Sequence, residues 1–209
     1  MLHRHLVFAA VALATSVATT AFAYAQSQSK PEPEQLEIAT FGAGCYWCVE
    51  SDFDKVKGVL YTTPGFMGGK TPNPTYEEVS TGTTGHTEVV NVTFDPTIVT
   101  YQKLLDHYWA NVDPLDRTGQ FCDRGSQYRP AIFYHNDEQK TLAEKSKQAI
   151  IDSKRFDKPV IVEIARASAF TPAPDPDYYK LNPVRYKFYR AGCGRDARLE
   201  QLRAQMAGH

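Results

Sequence analysis

The run Phe41-Gly42-Ala43-Gly44-Cys45-Tyr46-Trp47-Cys48-Val49-Glu50 constrains this chain more than any other. Small residues lead into a cysteine, two large aromatics follow, and an amphipathic stretch (Val49, Phe53, Val56) begins at once. The pattern predicts a strand ending at Phe41, a tight glycine turn, and a helix starting near Cys45. A sulfur at that junction faces the first helical N–H groups and the positive end of the dipole. Its thiol pKa is therefore expected to fall and its reactivity to rise, which makes Cys45 the candidate nucleophile. Plainer readings compete. A cysteine among apolar residues is often a small core residue, and Cys-x-x-Cys also serves as half a zinc site or as a structural disulfide. Only one such pair exists, Cys122 and Cys193 stand alone, and His86, His107 and His135 lie far apart in sequence. No metal is expected.

The remaining pattern alternates irregularly between strand and helix. Leu36–Phe41 and Gly58–Thr63 read as strands, Pro64–Gly69 as a glycine-rich loop, and Pro72–Val79 as a turn opening a short helix. The glycine loop lacks the Gly-Lys-Ser/Thr ending of a phosphate cradle. Gly85–Phe94 is rich in β-branched residues and stops at Asp95-Pro96, a strand. Leu104, Leu105, Tyr108 and Trp109 have helical spacing, and Asp113–Gln127 is a long aperiodic loop of the kind that carries function. A strand over Arg129–His135, a helix over Asp137–Ser153 and a strand over Val160–Ile164 follow. The end of the chain is rich in Pro, Tyr and Arg, with one short helix around Arg198–Leu202. This interleaving predicts a two-layer α+β domain.

His3, Arg4 and His5 precede an apolar run that ends in Ala23-Tyr24-Ala25. A short basic head, an apolar middle and an Ala-x-Ala ending describe a secretory signal peptide over 1–25. Cleavage after Ala25 is preferred to cleavage after Ala23. Threonines and serines dilute the apolar run too much for a retained membrane span. A polar, proline-rich linker occupies 26–35, and one domain occupies 36–209. The protein is expected to be exported to the periplasm, with full secretion the second choice, and to have no membrane association after cleavage. A net charge of −1 gives no reason to expect a nucleic acid partner. An exported nucleophilic thiol needs a dedicated electron donor.

Gly44-Cys45-Tyr46-Trp47 resembles the Gly-Cys-Phe-Trp signature of the peptide methionine sulfoxide reductases of the A type. The resemblance continues through Asn73-Pro74-Thr75-Tyr76-Glu77-Glu78-Val79, Thr84-Gly85-His86-Thr87-Glu88, Asp95-Pro96 and Asp123-Arg124-Gly125-Ser126-Gln127-Tyr128-Arg129, in the family's order. It implies a ferredoxin-like α+β sandwich with a mixed sheet and an extended C-terminal tail. It also implies reduction of methionine-S-sulfoxide, in peptides and as a further substrate free, through a sulfenic acid and a disulfide. A thioredoxin-like protein would supply the electrons, with no cofactor, and the enzyme would act as a monomer. The matching positions give Cys45 as attacking thiolate and Glu88 as the acid that protonates the sulfoxide oxygen. Tyr76 and Tyr128 become hydrogen-bond donors to that oxygen, Asp123 steadies the pocket, and Tyr46 and Trp47 hold the substrate methyl group. Burial would raise the pKa of Glu88, although a Glu on an alternating strand more often faces solvent. His86 is read as orienting the strand entrance.

Three positions depart from the signature. Cys48 stands where many members have glycine, Tyr46 replaces the usual phenylalanine, and Pro130 follows Arg129. The resolving cysteine is expected to be Cys193, in a flexible tail, with Cys48 close behind as competitor or second relay and Cys122 third. Two readings outside this enzyme class stay in play: a binding or structural domain with a permanent Cys45–Cys48 disulfide, and a thioredoxin-like exchanger.

Overall fold

The computed structural model describes residues 35–207; the leader and all of the linker but Gln35 lie outside the described residues. Strand β1 (Glu37–Gly42) and helix α1 (Tyr46–Phe53) are followed by β2 (Val59–Met67), α2 (Tyr76–Ser80), β3 (Thr87–Phe94) and α3 (Tyr101–Ala110). A small hairpin, β4 (Gly119–Gln120) and β5 (Asp123–Arg124), leads to β6 (Ala131–Tyr134), α4 (Asp137–Asp152), β7 (Glu163–Arg166) and β8 (Thr171–Pro172). Three helices, α5 (Tyr178–Leu181), α6 (Pro183–Gly192) and α7 (Arg195–Ala207), end the described chain. The main sheet runs β7-β6-β1-β3-β2-β8, with β6 and β7 parallel and the other pairs antiparallel. It is a mixed sheet in an α+β sandwich, as expected.

Strand β3 is central, and alternation along it sends side chains to two different cores. Val90, Val92 and Phe94 join Phe41, Phe53, Phe66 and the buried residues of α1 and α3. Val89 joins Met67, Ala131 and Phe133 on the opposite face, where Ala165, Ala167 and Phe170 cover them. Glu88 has the parity of Val90 and lies across from Phe66 in the ladder, so it projects toward the helices. Phe41 ties β1 to them, stacking on Phe53 at 4.9 Å and on Tyr108 at 5.2 Å. Helix α2 opens with a capping box in which Thr75 and Glu78 satisfy each other's backbone N–H groups.

Three expectations need correction. Strand β2 continues through Pro64-Gly65-Phe66-Met67, so only the end of the presumed glycine loop is loop. Its outer side is bordered by two-residue β8, which lets a proline sit there. The strand expected over Val160–Ile164 begins at Glu163, because Val162 is spent on the core and Ile161 N–H bonds Pro114 O at 2.9 Å. The tail is helical, not extended. Pro183 starts α6, where its missing N–H is no loss, and Arg195, Leu199 and Leu202 form a buried stripe at helical spacing on α7.

Candidate active site

The turn after β1 is built for close approach. Gly44 has φ +87, and a Cβ there would come within 2.7 Å of the Gln120 side chain. Arg195 reaches in from α7 and donates to Ala43 O at 2.9 Å and to Asn111 O at 2.7 Å, fastening the turn to the C-terminal helices. Cys45 then occupies the N-cap of α1 with non-helical backbone angles, φ −51 and ψ 123, and its side chain is partly exposed.

The helix start does not simply release the thiol proton, as the sequence suggested. Burial, the hydrogen bond shared with Cys48 and the Glu88 carboxylate push the Cys45 thiol up. Dehydration and the hydrogen bond shared with Cys48 outweigh the dipole of an eight-residue helix. The same hydrogen bond, with the Arg195 and Arg190 guanidiniums, brings Cys48 down to about 7.

Glu88 is buried, at 2% exposure, and accepts the Tyr46 N–H at 3.0 Å. Burial, followed by the charges of Asp123, Asp175 and Cys48, pushes it up to about 8 against that hydrogen bond. It is thus a neutral acid at pH 7 beside Cys45. The solvent-facing alternative fails because both faces of β3 are covered. Tyr76 opens α2 and Tyr128 ends the 3-10 turn Ser126–Tyr128. Burial raises both phenols, and the Glu88 and Cys45 charges raise them further. Asp123, on β5, accepts the Cys45 N–H and the Tyr189 hydroxyl, the latter at 2.7 Å. Burial nevertheless raises its pKa.

The aromatic pair divides its work. Tyr46 is 1% exposed with its ring against Phe66, whereas Trp47 is partly exposed. One carboxylate holds both: Asp175 accepts the Tyr46 hydroxyl at 2.5 Å and Trp47 Nε1 at 2.8 Å. Tyr178 stacks on Trp47 at 3.8 Å, and Tyr189 meets its edge at 5.5 Å. Asp175, Tyr178 and Tyr189 all come from the C-terminal segment. Its Tyr and Pro content hinted at packing, but no periodicity assigned these residues to the site. His86 is buried and structural; Gly69 N–H donates to its Nδ1, which leaves Nε2–H for Thr71 O at 2.8 Å.

Cys193 is not in a flexible tail. It caps α6 and is joined to Cys122 in a disulfide, while Cys45 and Cys48 are free. The sulfurs of Cys122 and Cys193 lie 3.7 and 3.9 Å from the two oxygens of Asp123. These three groups also have metal-like spacing, within 4.8 Å of one another, but the linked sulfurs offer no thiolate ligand. Asp123 thus bridges the Cys45 backbone and the disulfide.

A family model described as peptide methionine sulfoxide reductase matches residues 37–207. The peptide methionine sulfoxide reductase MsrA of Listeria monocytogenes serotype 4a is 51% identical over 164 residues, covering 78% of this chain and 93% of that protein. Methionine sulfoxide reductase A of Corynebacterium diphtheriae superposes with a TM-score of 0.63 at 35% identity, over 74% of this chain and 78% of the other. Mxr1 from Saccharomyces cerevisiae, solved in complex with Trx2, shares the fold with a TM-score of 0.51 at 18% identity, over 73% and 91% of the two chains. With the signature cysteine at the helix start and the family's acidic and tyrosine positions gathered around it, this chain belongs to the peptide methionine sulfoxide reductase family.

Proposed function

We propose that this protein reduces methionine-S-sulfoxide, in oxidised proteins and peptides and also free, with Cys45 as nucleophile and Glu88 as acid. The observation that carries the reading is the meeting of a partly exposed N-cap sulfur with a buried carboxyl that is still protonated at neutral pH. Glu88 protonates the sulfoxide oxygen, steadied by hydrogen bonds from Tyr76 and Tyr128, as Cys45 Sγ attacks the electrophilic sulfur. The oxygen passes to Cys45 as a sulfenic acid, the thioether leaves, and the proton from the Cys45 thiol restores Glu88. Asp123 holds the Cys45 backbone in place. Trp47, backed by Tyr46, offers an aromatic surface to the substrate methyl group.

A thioredoxin-fold dithiol supplies the electrons, a reading supported by the Cys122–Cys193 disulfide and its exposed Cys122. The chain is read as a monomer, and as exported on the strength of its leader. The test mixes reduced protein with a methionine sulfoxide peptide and no donor. Wild type should release methionine and consume thiols, and Cys45→Ser should do neither. Turnover by Cys45→Ser would reject the nucleophile. Uncleaved leader on protein recovered from the native host would reject export.

A further inference from the structure

Away from the thiols, one face of the molecule gathers positive charge. Helix α4 is capped by Ser153, and Lys154 then turns the chain with a left-handed φ of 51. The segment that follows is pinned to the loop before β4, where Ile161 N–H bonds Pro114 O at 2.9 Å. Between segment and loop lie two cavities, of about 360 Å³ and about 340 Å³. Both are lined by Leu115, Lys158 and Arg198, so they form one trough. Lys154, Arg155 and Lys158 line it from the segment and Arg117 from the loop. Among the described residues, none of these four cations makes a salt bridge. Arg198 is committed to Asp113 at 2.7 Å, and the lining Asp116 to Arg124 at 2.7 Å, which leaves Asp157 as the unpaired lining carboxylate. Cations suit the C-terminal end of a helix dipole, and that accounts for Lys154. Arg155 and Lys158 lie beyond the last turn, and Arg117 belongs to the facing loop. Half-buried Leu115 and Phe156 add an apolar lining.

We propose that this trough is a second docking site for client proteins, taking an acidic, extended segment of the same oxidised protein whose methionine sulfoxide enters the Cys45 site. The proposal deepens the reductase reading and rests on it. Shape and charge select the occupant. A concave trough receives the side chains of an extended chain, not the flat surface of a membrane. Its charge is local, because the whole chain carries −1; a long polyanion such as nucleic acid would run on from the trough over a surface that is not basic. Carboxylates pair with free Lys and Arg, in two-point fashion at Arg117 and Arg155. Leu115 and Phe156 accept glutamate methylenes and apolar neighbours. The trough is also joined to the Cys45 turn through one loop. Asp113, held by Arg198 on the trough side, donates its N–H to Gln120 Oε1 at 2.9 Å, and Gln120 packs against Gly44. A client lying across this loop engages both surfaces, and capture of its acidic segment raises the local concentration of its sulfoxide.

The test compares sulfoxide peptides of equal length that carry a run of glutamates, of glutamines or of lysines at varied distance from the methionine sulfoxide, with a small dithiol as reductant. Wild type should turn over the glutamate peptide with a KM about 10-fold lower than the glutamine peptide at low salt, and with the same kcat. The advantage should fade toward about 1 M salt, where the screening length is about 3 Å. Arg155→Glu/Lys158→Glu should abolish it and leave both constants for the glutamine peptide unchanged. Should that pair prevent folding, Arg117→Glu on the facing loop gives the same reading. Equal KM for the three peptides in wild type at every spacing overturns the docking site and leaves the reductase standing, and so does a preference that survives charge reversal. Turnover of none of the peptides overturns the reductase reading and the client role with it. Fluorescence anisotropy of a dye-labelled glutamate peptide measures docking apart from chemistry: it should bind wild type and not the charge-reversed protein. Displacement of that peptide by phosphatidylglycerol vesicles or by a single-stranded oligonucleotide of equal charge would assign the trough to a lipid surface or a nucleic acid and overturn the proposal.

Discussion

Glu88 illustrates what one buried side chain can do. Its folded pKa of about 8 lies above its ordinary value of 4.5, so the folded protein binds an extra proton between those limits. By linkage, its contribution to stability is fully present below 4.5 and is lost as pH rises to about 8. The reductase step should follow the same proton and decline above pH 8. Glu88→Gln keeps an acceptor for the Tyr46 N–H but has no proton to give. It should slow methionine release by about 10²–10⁴-fold and flatten the decline in melting temperature between pH 5 and pH 9. A normal single-turnover rate in this variant would remove Glu88 from the chemistry. Asp175 supports the same site without touching the reacting sulfur. Asp175→Ala leaves the Tyr46 hydroxyl and the Trp47 N–H without their acceptor, at about 1–3 kcal/mol, and should raise KM more than it lowers kcat. Steady-state kinetics on a short sulfoxide peptide, with urea denaturation, would show an unchanged KM if the carboxylate were only structural. The residue types at positions 45, 76, 88, 123 and 128 were legible in the sequence. The raised pKa of Glu88 followed from the resemblance, but the residue pattern alone could not decide where the protons sit. Whether a strand glutamate is wet or dry depends on what covers the far face of β3, and whether Cys45 or Cys48 holds the proton depends on guanidiniums from the other end of the chain.

At the level of elements, the strands and the helices with clear periodicity were readable because local pattern decides them. Helix α4 carries its own N-cap in Asn136, and β3 its own stop in Asp95-Pro96. The C-terminal elements were not readable. Leu181 at the end of α5 and Val184 and Phe188 on α6 are exposed, and the packing of α6 runs through polar groups that a hydrophobic pattern does not register. Arg195 is the clearest case, a guanidinium 2% exposed inside the stripe of α7. It meets Asp52 of α1 at 3.2 Å and the carbonyls of Ala43 and Asn111. Asp52 keeps its ion pair with Arg190, so Arg195→Met chiefly leaves the Ala43 and Asn111 carbonyls without their donor and should destabilise the protein by about 1–3 kcal/mol. The same substitution removes a positive charge near Cys48 and loosens the turn that presents Cys45, so thiol alkylation of Cys48 should shift to higher pH. Titrating iodoacetamide reactivity at Cys48 separates this from simple destabilisation; an unshifted profile in folded variant would detach Arg195 from the thiol pair.

For the whole molecule, the Cys122–Cys193 disulfide closes a 71-residue loop that carries β5, β6, α4, β7, β8, α5 and α6. Restricting the unfolded chain to that loop stabilises the oxidised form by about 4 kcal/mol on the chain-entropy model. If this disulfide is opened in every catalytic cycle, the reduced protein has to hold its fold without that contribution. Two features let it do so. The sheet is covered on both faces by separate clusters, and α7 is fastened to the Cys45 turn through Arg195, not through the disulfide. Reduction should therefore lower the urea midpoint by roughly 2 M, taking an m-value near 2 kcal/mol/M, while the transition stays cooperative. Parallel urea titrations of oxidised and reduced protein, followed by far-UV circular dichroism, measure the gap directly. Cys122→Ser/Cys193→Ser should coincide with the reduced wild type and show no response to reductant. Loss of the sheet signal on reduction in buffer would mean that the outer cysteines are structural and cannot be cycled. Coincident curves for the two redox forms would mean that the unfolded chain gains nothing from release of the loop.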